Sequence, residues 1–182
     1  MEGDTLRDYT LTTFSSPGDI DEVSARWRAA AGEEAYEVEL VLLFDFCREN
    51  RAPRPGHGLV RGLKNESTGS IDAILETVPS PQRGMTKLLK IFVSPEFWPI
   101  DESNTDEISE ELFEIHLSSY FCILEEATRE NLDEVKMYGR SNVSLHLLKL
   151  IEKHWNSDTT NGVETGWRAT MAGRWLVLTN DR

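Results

Sequence analysis

The spacing of apolar positions changes several times along the chain, and each change marks an element. Ile20, Val23, Trp27 and Ala30 recur at three and four residues, behind Ser16-Pro17-Gly18-Asp19. A serine cap, a proline in the first turn and an acid three residues after the cap form a helix start, so with Gly32 as a stop the pattern predicts a helix over 17–31. Tyr36, Val38, Leu40, Leu42, Phe44 and Phe46 alternate in period two, as in a strand. The flanks Glu33-Glu34-Ala35 and Cys47-Arg48-Glu49-Asn50, with the length of the segment, favour a helix over 33–50 instead, and either way the segment belongs to the core. Asn104-Thr105-Asp106-Glu107 has capping-box spacing before an acidic helix that runs to about Glu130. On that helix Phe113, Leu117, Tyr120, Leu124 and Ala127 share a face, widened by Leu112, His116, Phe121 and Ile123. Ser141 caps a further helix to about Trp155, with Val143, Leu147, Leu148, Leu150 and Ile151 on its apolar arc.

Strand patterns lie at 8–14, at 87–93 before Pro95, at 134–138, and at 163–169 and 174–179, the last two joined as a hairpin near Ala172-Gly173. Residues 51–84 are interrupted by Pro53, Pro55, Gly56, Gly58, Gly62, Gly69, Pro79 and Pro81 and read as a loop-rich, mildly basic segment around one apolar stretch, Ile71–Val78. From residue 87 the order β-α-β-α-β-β predicts an α+β fold: a small mixed sheet packed against two long amphipathic helices, with a more helical N-terminal third and a C-terminal hairpin, all in one domain over 1–182.

Composition narrows this further. An apolar share of 39% and five Trp exclude a disordered or fibrous chain. No apolar run reaches the ~18–20 residues of a membrane helix, and Met1-Glu2-Gly3-Asp4 does not begin a signal peptide, which places the chain in the cytoplasm with no membrane contact. Cys47 and Cys122 stand far apart with no metal or redox spacing, consistent with a reducing compartment. The formal charge is −13, and residues 95–134 hold 13 acids against Arg129 alone. Such a balance argues against nucleic acid as a partner. Helical geometry gathers Glu110, Glu111, Glu114 and Glu125 away from the apolar stripe, as a docking face for a basic protein, with Trp98 as an aromatic anchor. The expected function on this ground is an acidic, non-enzymatic protein-binding module, of inhibitor (immunity) or adaptor type.

The alternative is a small enzyme or sensor for an anionic ligand. Tyr138-Gly139-Arg140-Ser141-Asn142 carries a strand through Gly139 and Arg140 into a helix start capped by Ser141, where free N–H groups and a guanidinium suit an anion. Arg168 and Arg174 would complete the cluster if the hairpin brings them close. Gly56-His57-Gly58-Leu59-Val60-Arg61-Gly62 misses the dinucleotide fingerprint by one position, since its third glycine falls at 62 instead of 61. The four histidines lack zinc-site spacing, and Asp101–Asp106 lacks the glycine and terminal glutamate of a calcium loop. Neither a cofactor nor a metal is expected, and the nucleophile-elbow, P-loop and kinase signatures are absent.

Overall fold

The computed structural model describes residues 8–54, 57–98, 109–140, 142–157 and 166–180. Its framework is a seven-stranded sheet in the order β1-β2-β3-β4-β5-β7-β6. The strands are β1 (Tyr9–Thr13), β2 (Leu59–Asn65), β3 (Ile71–Ser80), β4 (Met85–Val93), β5 (Glu134–Tyr138), β6 (Trp167–Ala172) and β7 (Trp175–Asn180). All neighbours are antiparallel except β4 and β5, which run parallel. Four helices pack on this sheet: α1 (Pro17–Ala31), α2 (33–50), α3 (Glu110–Arg129) and α4 (Asn142–Ser157).

The capping box at α1 forms as expected, with Asp19 N–H donating to Ser16 Oγ and Ser16 N–H donating to the Asp19 carboxylate at 2.9 Å. Helix α2 holds a π-helical stretch, Tyr36–Leu40, between a single turn, Glu33–Ala35, and the body Val41–Asn50. That wider turn resolves the period-two pattern: Tyr36, Leu40, Leu43, Phe44 and Cys47 are buried, while Val38 and Leu42 face outward. With Phe14, Ile20, Trp27, Val60 and Ile74 they form a hydrophobic cluster between α1, α2 and one face of the sheet. The second cluster lies on the opposite face under α3 and α4, around Leu75, Leu88, Ile115, Ile123, Val135, Met137, Leu148 and Trp155.

Two expectations are corrected here. Residues 51–84 hold two sheet strands, β2 and β3, where the sequence predicts a loop-rich segment around one apolar stretch. Gly62 is no breaker: a Cβ there would lie 3.0 Å from Ile71 Cδ1 and 3.1 Å from Thr12 Cγ2, so its absence lets neighbouring strands pack. The buried arc of α3 is also rotated from the expected stripe. His116, Tyr120, Ile123, Leu124 and Ala127 of that stripe are buried, but so are Ile115, Ser118 and Ser119 outside it, whereas Phe113, Leu117 and Phe121 are only half-buried. Two adjacent serines let the helix backbone settle close to its neighbours, and Ser119 Oγ is satisfied by donating to Ile115 O at 2.8 Å. The cap of α3 is Ser109, whose Oγ accepts from Leu112 N–H; the capping-box sequence at 104–107 lies outside the described residues.

Candidate active site

The one parallel junction of the sheet is also where it opens. β4 and β5 pair only from Met85 with Glu134 to Leu88 with Met137, although β4 continues to Val93. Across β3, Thr77 faces Leu88 and Glu76 faces Lys90, so Leu89 is an extra residue that bulges β4 at the point where it leaves β5. A bulge bends its strand and adds twist, and a cleft of about 510 Å³ lies beyond it. From Leu89 onward β4 has no ladder partner on the β5 side, which leaves backbone N–H and C=O groups facing the cleft.

The cleft passes through the sheet. On the α3 and α4 face it is lined by His116, Tyr120 and Ser144, and on the other face by Lys90, Phe92 and Tyr138; Leu88, Ile91 and Met137 form apolar walls and Arg140 stands on the rim. No carboxylate is among its described lining residues, in a chain with 32 acids. His116 is buried, and its Nδ1 donates to Leu112 O at 2.8 Å. A carbonyl only accepts, so the proton sits on Nδ1 and Nε2 keeps its lone pair. Burial lowers the imidazole pKa against the smaller opposing effect of that hydrogen bond, and the ring is neutral at physiological pH. Burial holds the Tyr120 phenol above its ordinary value, so its hydroxyl remains a donor. Lys90 Nζ lies 2.7 Å from Glu76 Oε2 and over the rings of Phe46 and Phe92.

The structure brings some of the sequence candidates together and separates others. Gly139, Arg140 and Arg174 meet at the turn into α4: Arg174 Nε donates to Gly139 O at 2.7 Å and its Nη2 to Arg140 O at 2.9 Å. Arg174 thus clasps backbone carbonyls, while Arg140 is exposed beside the cleft. Gly139 answers to packing, since a Cβ there would lie 2.8 Å from Leu145 Cα. Arg168 lies away from this group, opposite Thr179 and four residues before the β6 end that faces Trp175. Ser141 lies outside the described residues. Sequence spacing did not single out Lys90, His116 or Tyr120 for the cleft, because the bulge that gathers them is a property of strand register.

The acidic face does not form as a continuous surface. Glu110, Glu111 and Glu125 are exposed, Glu114 is half-buried and Ser118 between them is buried. Their neighbour Glu126 pairs with the buried Arg61. Trp98 is tied down by a hydrogen bond from Nε1 to Val93 O at 3.1 Å and packs on the α1–α2 cluster, so it is not an exposed anchor.

The sequence matches no family model and no curated protein. The structure resembles a GCN5-related N-acetyltransferase from Brucella melitensis, with TM-score 0.53 and 11% identity over 99% of this chain and 84% of that one. It also resembles Tetrahymena GCN5, with TM-score 0.48 and 5% identity over 95% of this chain and 96% of that one. The first likeness defines the fold as GNAT-like. It overturns the expected inhibitor, immunity or adaptor module and its basic protein partner. Among the described residues no helix is long and apolar enough to cross a membrane.

Proposed function

We propose that the cleft is an acyl-transfer site, where an acyl group passes from a thioester to an amine. The observation that carries this reading is the divergence of β4 from β5 past Leu88 and Met137, which leaves an unpaired strand edge beside a histidine with a free ring nitrogen. An acyl-coenzyme A donor supplies an activated carbonyl carbon and a sulfur leaving group. The residues present fit its amide-bearing arm: the β4 edge from Leu89 offers strand-type hydrogen bonds, and Leu88, Ile91 and Met137 offer apolar walls. The start of α3 is unsuited to the phosphates, because Glu110 and Glu111 already fill its first turn and Ser109 caps it. Arg140 on the rim is the cation for that end.

His116 Nε2 takes the proton that the acceptor amine loses as its nitrogen bonds to the acyl carbon. Tyr120, kept protonated by burial, donates a hydrogen bond toward charge developing on the carbonyl oxygen or the departing sulfur. The carbon–sulfur bond breaks as the amide forms, and the proton that His116 took from the amine is given up to the departing sulfur, which leaves amide, free thiol and neutral His116. Opposite openings let donor and acceptor approach from the two faces of the sheet.

The test is release of free thiol from acetyl-coenzyme A across a panel of primary amines. Thiol release that requires an amine is expected, with a loss of about 10²-fold in His116→Gln, in line with general-base catalysis. Absence of both coenzyme A binding and thiol release from the folded wild-type protein would refute the reading.

A further inference from the structure

The half of the sheet beyond the cleft is covered on one face only. α4 packs on β5, β6 and β7 through Leu176, Leu178, Ala169 and Trp167, while α1 and α2 lie over the β1–β4 half. No described helix covers the other face of β5, β7 and β6. The register places Lys87, Lys136, Val177 and Thr170 in one row across that face. The next row holds Tyr138, Trp175 and Ala172, with the rings of Tyr138 and Trp175 4.8 Å apart.

The two lysines are the unusual feature. Lys87 and Lys136 are direct neighbours on parallel strands ~4.8 Å apart, so their ammonium groups repel. Glu134 relieves Lys136 at 3.0 Å, but among the described residues no carboxylate pairs with Lys87. In a chain with 32 acids and 19 bases, a lysine pair without full compensation leaves room for an outside anion. The row lies just before the bulge, and Tyr138 reaches from this face into the cleft.

We infer that the acyl acceptor carries an anionic group beside its amine, bound by Lys87 and Lys136, with the part between them lying on Tyr138 and Trp175. This rests on the acyl-transfer reading for the identity of the cleft, and the anion site itself is separately testable. Tyr138 is two residues beyond Lys136, a step of ~7 Å along β5 from the lysine row to the cleft. An aromatic amine with a para carboxylate or phosphonate fits that spacing.

The experiment titrates the full chain with 4-(aminomethyl)benzoate, 4-(aminomethyl)phenylphosphonate and uncharged-ring benzylamine, following intrinsic tryptophan fluorescence, and measures thiol release from acetyl-coenzyme A with each. At least one anionic amine is expected to bind about tenfold more tightly than benzylamine, and the ratio of carboxylate to phosphonate affinity identifies the preferred anion. In Lys87→Gln/Lys136→Gln the preference should fall to near one while the unfolding midpoint holds or rises, because a repulsion is removed. Equal binding of charged and uncharged amines, a preference that survives in the double variant, or no saturable signal up to about 10 mM overturns the anion site. Charge-selective binding without thiol release would instead sink acyl transfer and uphold the anion site. Thiol release at equal rates for all three amines would do the reverse.

Discussion

Replacing Gly139 by Ala tests how the cleft rim is built. The added Cβ would lie 2.8 Å from Leu145 Cα and 3.1 Å from Leu145 N and Cβ, and two of those three atoms are backbone. No side-chain rotation relieves such a clash, so either the start of α4 or the end of β5 must move. Gly139 is not among the positive-φ glycines, so alanine meets no conformational penalty there. Overpacking costs about 1–3 kcal/mol, and the reduced freedom of the unfolded chain returns about 0.4–1 kcal/mol. The net loss expected is about 1–2 kcal/mol, or a fall in Tm of about 2–8 °C for a chain of this size. Urea unfolding followed by fluorescence and calorimetry measures both quantities. The same shift displaces Arg140 and Ser144, which line the cleft, so affinity for coenzyme A should fall with stability. Gly173→Ala is the comparison: its φ is +65° with nothing within 4 Å of the added atom, so it should cost about 1 kcal/mol through backbone strain and leave the cleft unchanged. A Gly139→Ala protein as stable as wild type would refute the packing argument.

Two further outcomes follow from the buried polar groups. Because His116 has a pKa lowered by burial, the unfolded state binds its proton first as pH falls, so its contribution is present above the unfolded value near 6.5 and is lost from there down to the folded pKa. Stability should fall with decreasing pH in that window, by no more than about 1.4 kcal/mol per pH unit from this one group, and that part of the slope should disappear in His116→Gln, as read from urea unfolding at a series of pH values. Asp72 is 2% exposed and accepts from Tyr9 Oη, Asn65 Nδ2, Ser70 Oγ and Arg26 Nη2, so Asp72→Asn should cost about 3 kcal/mol, measured in the same way.

Local signals gave the helices and most strand positions, because caps and apolar spacing act within a few residues. Helix 17–31, the strand at 134–138 and the hairpin around Gly173 follow from Ser16, from the alternation of Val135 and Met137, and from a left-handed turn glycine. β2 was illegible because its interior holds Arg61, Gly62 and Lys64, and for the first two the reasons are non-local: Arg61 pairs with Glu126 of α3, and Gly62 makes space for Ile71 and Thr12. The site was hidden for a related reason. His116 reads as one more member of an apolar arc, and only the strand register around Leu89 shows that a cleft lies beside it. Arg140 was legible through its place before a helix, whereas the role of Arg174 depends on β7 lying beside β5.

The short parallel seam between β4 and β5 also bears on how the chain reaches its native state. Each half of the sheet is built largely from antiparallel pairings, and the halves join along only four residue pairs. Closing that seam joins strands separated in sequence by the whole of α3, an entropic cost that no hairpin must bear. The seam is therefore expected to be the last junction to form during folding, and the cluster under α3 and α4, which takes side chains from both halves of the sheet, is completed only with it.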